Sequence, residues 1–536
     1  MHPSAHIDTF THDRLPPADE WPVLLLDRPE HQYPPRLNCV SELLDAWLAR
    51  GHGAHPCFIG PTTTWSYAET AAMVDRIANV LVSRLGLVPG NRVLLRAPNS
   101  PMLAATYLAV MKAGGVVVAT MPLLRATELA PVIAKAQVRL ALCDPRLVDA
   151  LTDVRAAGSP LERIVTFGDT ECELESWLPS APSTFPACPT ASDDVCLLGF
   201  TSGTTGTPKA TMHFHRDVLA IARAYGAHVL KARASDRFIG SPPLAFTFGL
   251  GGLVIFPLAV GASSVLLEKA PPDELLPAIA RHRATITFTA PTAYRAMAAK
   301  VHEHDCTSLR VCVSAGETLP RATFDAWRDA TGVTLQDGIG ATELLHIFIG
   351  SPLDQVVPGA TGRVVPGYEA RIVDDDGHPV PDGTPGHLEV RGPTGCRYLD
   401  DERQGSYVRN GWNRTGDTFI RDADGRFWYQ ARSDDMITAS GYAIAGPEVE
   451  QALLTHPAVA ECAVVGAVHE DRTMTVAAYV VLRTGVTADE GLTRALQEHV
   501  KATIAPYKYP RIVHYLSELP KTPTGKVQRN VLRQRG

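Results

Sequence analysis

The chain has 536 residues, which is too many for one compact core, so two or more domains are expected. Hydrophobic residues make up 45% and charged residues 20%, which is typical of a soluble globular protein. The net charge of -7 and the absence of a basic run argue against nucleic-acid binding, and no apolar stretch is long enough to span a membrane.

The first part of the chain alternates helical and strand patterns. Residues 1–36 are polar and rich in proline and histidine, which indicates a surface arm. Apolar periodicity predicts an amphipathic helix at 41–50 and a longer helix within 64–85. Short apolar strands follow, separated by helical segments, at 92–95, 116–120 and 140–143. This alternation predicts parallel sheets covered by helices.

The pattern continues and then changes character twice. Further strands are predicted at 238–241, 265–267, 285–289 and 311–314. Residues 359–391 are rich in Gly, Pro and Asp and contain alternating strands, which favours a small antiparallel barrel. Beyond the charged break A-R-S-D-D at 431–435, about a hundred residues alternate helices and strands, as in a separate α+β domain.

These patterns predict an α/β fold with two domains. The large N-terminal domain, 1–433, would contain two helix-covered sheets and the small β-barrel. The C-terminal domain, 434–536, would be a small, mobile α+β unit. The N-terminus lacks a charged-then-apolar export signal, and the ten cysteines form no C-x-x-C pair or visible zinc-ligand set. We therefore expect a cytoplasmic protein with reduced, mostly buried cysteines.

The stretch at 197–209, L-L-G-F-T-S-G-T-T-G-T-P-K, combines an apolar strand with glycines, hydroxyl residues and a lysine. Gly203 and Gly206 permit positive φ and let a ligand approach the backbone, while Lys209 supplies a cation. This combination suits an oligophosphate. The spacing is not that of a Walker A loop, and a solvated linker rarely begins on a buried strand.

Five further segments carry residues suited to a nucleotide and metal site. They are S-A-G-E at 314–317, I-G-A-T-E at 339–343, R-T-G-D at 414–417, R-S-D-D at 432–435 and P-K-T-P-T-G-K-V-Q-R at 520–529. A carboxylate can accept hydrogen bonds from ribose hydroxyls, or hold Mg²⁺ beside phosphate oxygens. Taken singly, four of these segments have simpler explanations. The segment at 314–317 is compatible with a strand-to-turn glycine and the one at 414–417 with a β-turn. The segment at 432–435 is compatible with an interdomain linker and the one at 520–529 with a charged tail.

In their order along the chain, the loop and these segments resemble the motifs of the adenylate-forming superfamily, which includes acyl- and aryl-CoA ligases, adenylation domains of peptide synthetases, and luciferases. The resemblance covers nearly the whole chain. It implies Thr342, Glu343 and Lys526 as catalytic residues, with Glu343 also holding Mg²⁺. The ATP- and AMP-binding residues that it implies are Thr201, Ser202, Gly203, Thr204, Thr205, Gly206, Lys209, Ala315, Gly316, Glu317, Asp417 and Arg432.

Three strings are similar to benzoate- and 2-aminobenzoate-CoA ligases within that superfamily. They are P-K-A-T-M-H-F-H-R-D, D-G-I-G-A-T-E-L-L-H-I-F and G-Y-A-I-A-G-P-E-V-E. The resemblance implies an acid pocket made of Ala245, Phe246, Phe248, Ile339, Gly340, Ala341 and His346. His346 on its apolar segment is equally compatible with a core histidine. A CoA path is implied at Ser440, Gly441 and Tyr442, and a hinge at Asp434.

The resemblance implies a two-step ligase that uses ATP, Mg²⁺ and coenzyme A with a small carboxylic acid, most closely benzoate or 2-aminobenzoate. It implies neither a nucleic-acid partner nor a membrane span, and it is compatible with a homodimer. One alternative is a stand-alone adenylating protein that loads a carrier protein, although no carrier is indicated. Another is a ligase for a bulkier acid of secondary metabolism that performs mainly one half-reaction. A luciferase-like relative is disfavoured because the lysine-bearing tail is retained.

Some positions depart from the superfamily pattern. Ile339 replaces the usual aromatic residue, and Thr438 and Ala477 stand where lysine is frequent. The run Arg472-Thr473-Met474 replaces an R-G-x often found in the small domain. The last three departures bear on the thioester-forming arrangement and leave the expected fold unchanged.

Overall fold

The structure, a computed structural model, describes residues 2–168, 171–201, 208–439, 442–468, 474–522 and 525–535. The strands are, in chain order, β1 (Pro56–Ile59), β2 (Thr64–Ser66), β3 (Arg92–Arg96), β4 (Val116–Ala119), β5 (Leu140–Cys143), β6 (Arg163–Thr166), β7 (Val195–Thr201), β8 (Lys209–Phe214), β9 (Arg237–Gly240), β10 (Ser263–Val265), β11 (Ile286–Thr289), β12 (Val311–Ser314), β13 (Leu335–Gly340), β14 (Ile347–Gly350), β15 (Arg363–Val364), β16 (Glu369–Val373), β17 (Gly386–Arg391), β18 (Val408–Arg409), β19 (Trp412–Arg421), β20 (Phe427–Arg432), β21 (Ile437–Ala439), β22 (Tyr442–Ile444), β23 (Val459–Val468), β24 (Met474–Leu482) and β25 (Ile512–Tyr515).

The α-helices are α1 (Ala46–Ala49), α2 (Tyr67–Ser83), α3 (Pro101–Lys112), α4 (Ala126–Ala136), α5 (Val148–Ala156), α6 (Glu173–Trp177), α7 (His215–Ile221), α8 (Thr247–Leu250), α9 (Phe256–Val260), α10 (Pro272–His282), α11 (Pro291–Ala298), α12 (Arg321–Thr331), α13 (Gln404–Tyr407), α14 (Gly446–Leu454), α15 (Glu490–Thr503) and α16 (Arg529–Arg533). Wider π-helical turns adjoin some of them, at Ser41–Asp45, Ala222–Leu230 and Gly251–Ile255.

Two large sheets form the body of the molecule. The six-stranded sheet has the order β6-β5-β3-β4-β7-β8, with parallel pairing except for the β7–β8 hairpin. The nine-stranded sheet has the order β15-β14-β13-β12-β11-β9-β10-β1-β2, with a parallel centre and antiparallel edges. The predicted strands of the α/β part are present in these sheets.

Helices between the sheets join them through one hydrophobic core. That core contains Leu95 and Val117 of the first sheet together with Phe238 and Phe288 of the second. In α3, eleven of twelve residues are buried, as expected of a helix that is apolar all round. The neighbouring α2 begins with a capping box, in which Ser66 and Glu69 exchange hydrogen bonds, a device that typically stabilises a helix by about 1 kcal/mol.

The remaining sheets are smaller. An antiparallel sheet of five strands has the order β16-β17-β19-β18, with β20 also paired to β19. Its end strands β16 and β20 are not paired with each other in the described ranges, so this unit is an open sheet and not the predicted small barrel. After β20 come the two-stranded β21–β22 sheet and the three-stranded β23-β24-β25 sheet, which packs beside α14 and α15.

The α/β fold with a large N-terminal and a smaller C-terminal domain is therefore confirmed. Its division at residue 434 stays a prediction. Eight of the ten cysteines are buried. Within the described ranges, no helix combines the length and apolar character needed to cross a membrane.

Candidate active site

The β7–β8 hairpin leads into and out of the predicted phosphate loop. Thr201 and Lys209 face each other as a register pair at its tip. The predicted loop residues Ser202, Gly203, Thr204, Thr205 and Gly206 lie outside the described residues. Deeper in the hairpin, Gly199 lies against the Thr342 side chain, where an added Cβ would be 2.6 Å from Thr342 Cγ2. The glycine therefore lets the hairpin approach the next segment closely.

Glu343 lies in a short turn that follows β13 and is 8% exposed. Its Oε1 accepts a hydrogen bond of 2.6 Å from the hydroxyl of Tyr398. That hydroxyl also lies 3.4 Å from Nζ of Lys209, so one tyrosine connects the predicted metal ligand to the hairpin lysine. Tyr398 is not predicted from the sequence, because it lies 55 residues after Glu343 and outside the motifs described above.

A second missed residue supports the Thr342 backbone. Nε2 of His213 lies 2.8 Å from the carbonyl oxygen of Thr342. Burial lowers the pKa of His213 to about 4, so the ring is neutral at pH 7. Since a carbonyl only accepts, Nε2 carries the proton in this contact and donates it. The histidine thus fixes the turn that presents Glu343.

Asp417 and Arg432 lie opposite each other on β19 and β20. Arg432 Nη1 is 3.2 Å from Asp417 Oδ1 and 3.3 Å from the carbonyl oxygen of Thr415. Burial raises the pKa of Asp417 although Arg432 opposes the shift, and the charge of Glu343 acts in the same direction as burial. Because the charge of Glu343 acts on Asp417, the predicted metal-binding carboxylate and the predicted ribose-binding carboxylate lie near each other.

The segment after β12 contains Ala315, Gly316 and Glu317. Gly316 has φ of 90°, a conformation that favours glycine. Burial raises the pKa of Glu317, while the positive charge of Lys526 opposes that shift. Lys526 is therefore close enough to Glu317 for its charge to act on that carboxyl. It is exposed, and its backbone N–H donates to Thr522 Oγ1 at 3.1 Å within a tight turn.

His346 lies in a cluster of aromatic rings. It is 2% exposed, with its ring centroid 4.6 Å from Phe256 and 5.8 Å from Phe248. Burial lowers the pKa of His346 to about 3. Neither ring nitrogen has a hydrogen-bond partner among the described residues. Gly251 makes room for this ring, since a Cβ there would lie 2.3 Å from His346 Cδ2.

Other predicted pocket residues are less buried than His346. Ala245, Phe248, Ile339 and Ala341 are partly buried and pack against the main core. Phe246 is also partly buried and precedes α8. Gly340 is exposed, but a Cβ on it would lie 2.8 Å from the His346 carbonyl, so β13 passes close to this segment.

The predicted hinge and CoA path are described only in part. Asp434 lies in the short turn Ser433–Asp435 between β20 and β21. Tyr442 begins β22, whereas Ser440 and Gly441 lie outside the described residues, as do Arg472 and Thr473. The structure therefore places the β7–β8 hairpin, Glu343, Asp417 and Arg432 in one region. His346, with its aromatic neighbours, follows Thr342 shortly afterwards in the chain.

Comparison with known proteins identifies the family of this chain. Residues 45–397 match the AMP-binding enzyme family, and residues 448–526 match the AMP-binding enzyme C-terminal domain. The chain belongs to the AMP-binding enzyme family, and within it to the AMP-forming acid–thiol ligases.

Relatives in this family include enzymes that act on aryl acids. The benzoate–CoA ligase of Thauera aromatica is 36% identical over 515 residues, covering 94% of this chain and 97% of that protein. The crystal structure of the anthranilate CoA ligase AuaEII with anthranoyl-AMP is similar, with a TM-score of 0.90 and 35% identity over 95% of this chain and 99% of that one. The benzoate CoA ligase from Burkholderia xenovorans LB400 has a TM-score of 0.85 and 31% identity, over 93% of this chain and 100% of that one.

Proposed function

We propose that this ligase activates a ring-bearing carboxylic acid of the benzoate or 2-aminobenzoate type with ATP and transfers the acyl group to coenzyme A. The observation that carries the proposal is the partly exposed apolar surface of Phe248, Ile339 and Ala341 beside the buried ring of His346. An apolar surface that includes an aromatic side chain is suited to an aryl ring. The similarity to benzoate and anthranilate CoA ligases supports the same substrate class.

In the first step, a carboxylate oxygen of the acid attacks the α-phosphorus of ATP. A P–O bond forms, the bond to pyrophosphate breaks, and an acyl adenylate results. The loop residues 202–207 and Lys209 would hold the phosphates, and Asp417 would accept hydrogen bonds from the ribose hydroxyls. Lys526 would stabilise charge between the carboxylate and the α-phosphate.

The Mg²⁺ that accompanies ATP would be held by Glu343, where it would neutralise phosphate charge. The fit is supported by the donor set, since a buried carboxylate with one oxygen already held by Tyr398 is a suitable hard ligand. Lys209 lies on the other side of the tyrosine hydroxyl, where it can contact phosphate.

In the second step, the thiolate of CoA attacks the acyl carbon and a C–S bond forms. The bond between the acyl carbon and the phosphate oxygen breaks, and AMP leaves with that oxygen and the bonding electron pair. The charge of Lys526 acts on Glu317 of the large domain, which is compatible with the arrangement that adenylation would need. We infer that the small domain turns about Asp434 to withdraw Lys526 and present the segment at 440–442 to CoA. No cysteine of the chain is needed as a nucleophile.

Lys526→Ala tests the division between the two steps. Pyrophosphate exchange should fall by a factor of about 100 or more, in line with losses of charge-stabilising groups. Thioester formation from supplied acyl adenylate should stay near wild type. Lys521→Ala is the matched control, because Lys521 is exposed on the same segment and pairs with Glu461 at 2.7 Å. Equal losses in both half-reactions of K526A would contradict the two-arrangement mechanism.

The substrate proposal is tested with a panel of acids assayed for AMP release and product mass. Benzoate and 2-aminobenzoate should exceed straight-chain acids in kcat/KM, with the acyl group recovered on CoA. Faster turnover of a long-chain fatty acid would refute the aryl assignment. Acyl transfer to an added carrier protein but not to CoA would instead establish the carrier-loading alternative.

A further inference from the structure

Three residues from distant parts of the chain form a buried cluster of sulfur and nitrogen atoms, here called the Cys–His cluster. They are Cys39, just before the helix that begins at Ser41, Cys196 in β7, and His215 at the start of α7. All three are fully buried, and their ligand atoms lie within 4.8 Å of one another. The catalytic steps described above use none of them.

The spacing of these atoms is close to that of a metal site. Two thiolates at about 2.3 Å from a tetrahedral Zn²⁺ lie about 3.8 Å apart, and a thiolate and an imidazole nitrogen about 3.6 Å apart. Cys39 Sγ lies 3.2 Å from His215 Nδ1, and all three ligand atoms fall within the 4.8 Å limit. Shifts of about 1 Å or less would give tetrahedral distances, which is within the reach of side-chain rotation.

A third sulfur lies beside Cys39. Met111 Sδ lies 3.9 Å from Cys39 Sγ, from the C-terminal end of α3. Thioether and thiolate sulfur favour soft or borderline cations, and the cluster contains no carboxylate that would favour Mg²⁺ or Ca²⁺. Fully ordered sulfur ligands in a dry interior select against hard, strongly hydrated ions.

Charge balance favours a divalent cation. Two thiolates, a neutral imidazole and Zn²⁺ sum to zero charge, which is the favourable state for an apolar interior.

We propose that Cys39, Cys196 and His215 bind one thiophilic divalent cation, Zn²⁺, in a structural site separate from the nucleotide site. Met111 is placed to complete the coordination. The ion would connect the segment before α1 to the start of β7, through Cys196, and to the end of β8, which His215 directly follows. It would thereby fix the base of the hairpin that leads to the phosphate loop.

The first test uses the intact wild-type protein. Protein purified from zinc-supplemented cells under reducing conditions should contain about one Zn²⁺ per chain by elemental analysis. After chelation under reducing conditions, it should take up one Cd²⁺ with the ultraviolet absorption of cadmium–thiolate bonds, and its thermal midpoint should rise with free metal. Absence of both retained Zn²⁺ and Cd²⁺ uptake would overturn the proposal.

Variants then assign the ligands. Cys39→Ser and Cys196→Ser should each abolish stoichiometric metal binding and the cadmium–thiolate band. Cys312→Ser removes an equally buried thiol outside the cluster and should retain both. If a serine variant does not fold, Met111→Leu provides a milder change that should weaken Cd²⁺ affinity at least several-fold.

Two outcomes would count against the site. Equal metal content in wild type and a folded C39S/C196S double variant would place the ion elsewhere. A mass two units lower, with resistance to thiol reagents that reductant reverses, would show that Cys39 and Cys196 form a disulfide instead of a metal site.

Discussion

Tyr398→Phe isolates a single hydroxyl that we expect to position the active-site carboxylate. The hydroxyl donates to Glu343 Oε1 at 2.6 Å and lies 3.4 Å from Lys209 Nζ. Glu343 is buried, so the variant leaves one oxygen of a charged group without its donor. A hydrogen bond to a charged group contributes about 1.5–3 kcal/mol, which corresponds to roughly a 10- to 150-fold effect. We therefore expect kcat/KM in pyrophosphate exchange to fall by about that factor, with a higher Mg²⁺ requirement.

Tyr407→Phe is the matched control. Its ring lies 5.6 Å from that of Tyr398, and its hydroxyl has no hydrogen-bond partner in the part of the chain that the structure describes. Y407F should keep exchange activity within a few-fold of wild type. Both variants should be compared at several Mg²⁺ concentrations and by thermal unfolding. If Y398F and Y407F had the same exchange activity and the same Mg²⁺ dependence, the positioning role of Tyr398 would be refuted.

Three further predictions concern stability and binding. Asp417→Asn should weaken ATP binding about tenfold or more in calorimetry. The substitution should not lower the free energy of unfolding at pH 7. Burial raises the pKa of Asp417, so this carboxyl stabilises the fold at low pH and loses that contribution as the pH rises through its raised pKa. The depressed pKa values of His213 and His346, about 4 and about 3, mean that stability falls as pH drops below about 6.5, by roughly 1.4 kcal/mol each at pH 5.5; urea unfolding should show this, and H346L should lose about half of it. Gly251→Ala should cost about 1–3 kcal/mol because its Cβ would meet the His346 ring, whereas Gly405→Ala has nothing within 4 Å and should be neutral in the same measurement.

Short apolar runs in the sequence predicted the positions of several strands. The strand bounds Leu140–Cys143 and Val311–Ser314 match the prediction, because short apolar runs between helices have few alternatives in an α/β protein. The wide turns at Gly251–Ile255 were not predicted. Packing explains them in part, since Gly251 and Gly252 lie directly against the rings of His346 and Phe288.

In the candidate site, residues within short motifs were predicted, and residues joined only by the tertiary fold were not. Asp417 and Arg432 were found because each belongs to a short motif, and the strand register brings them together. Tyr398 was not found, because its contact with Glu343 depends on a bridge between its backbone and Thr211 of β8, which no local pattern encodes. The Cys–His cluster was missed for the same reason, since its members are more than 150 residues apart at the widest and only the tertiary fold joins them.

Single-turnover analysis with 2-aminobenzoate tests the central claim most directly. Enzyme in excess over the acid is mixed with Mg·ATP, quenched, and examined by mass spectrometry before and after CoA is added. The account predicts 2-aminobenzoyl adenylate with pyrophosphate in the first sample, and 2-aminobenzoyl-CoA with AMP in the second. Failure to form any aroyl adenylate from 2-aminobenzoate or benzoate, while another class of acid is adenylated under the same conditions, would contradict it.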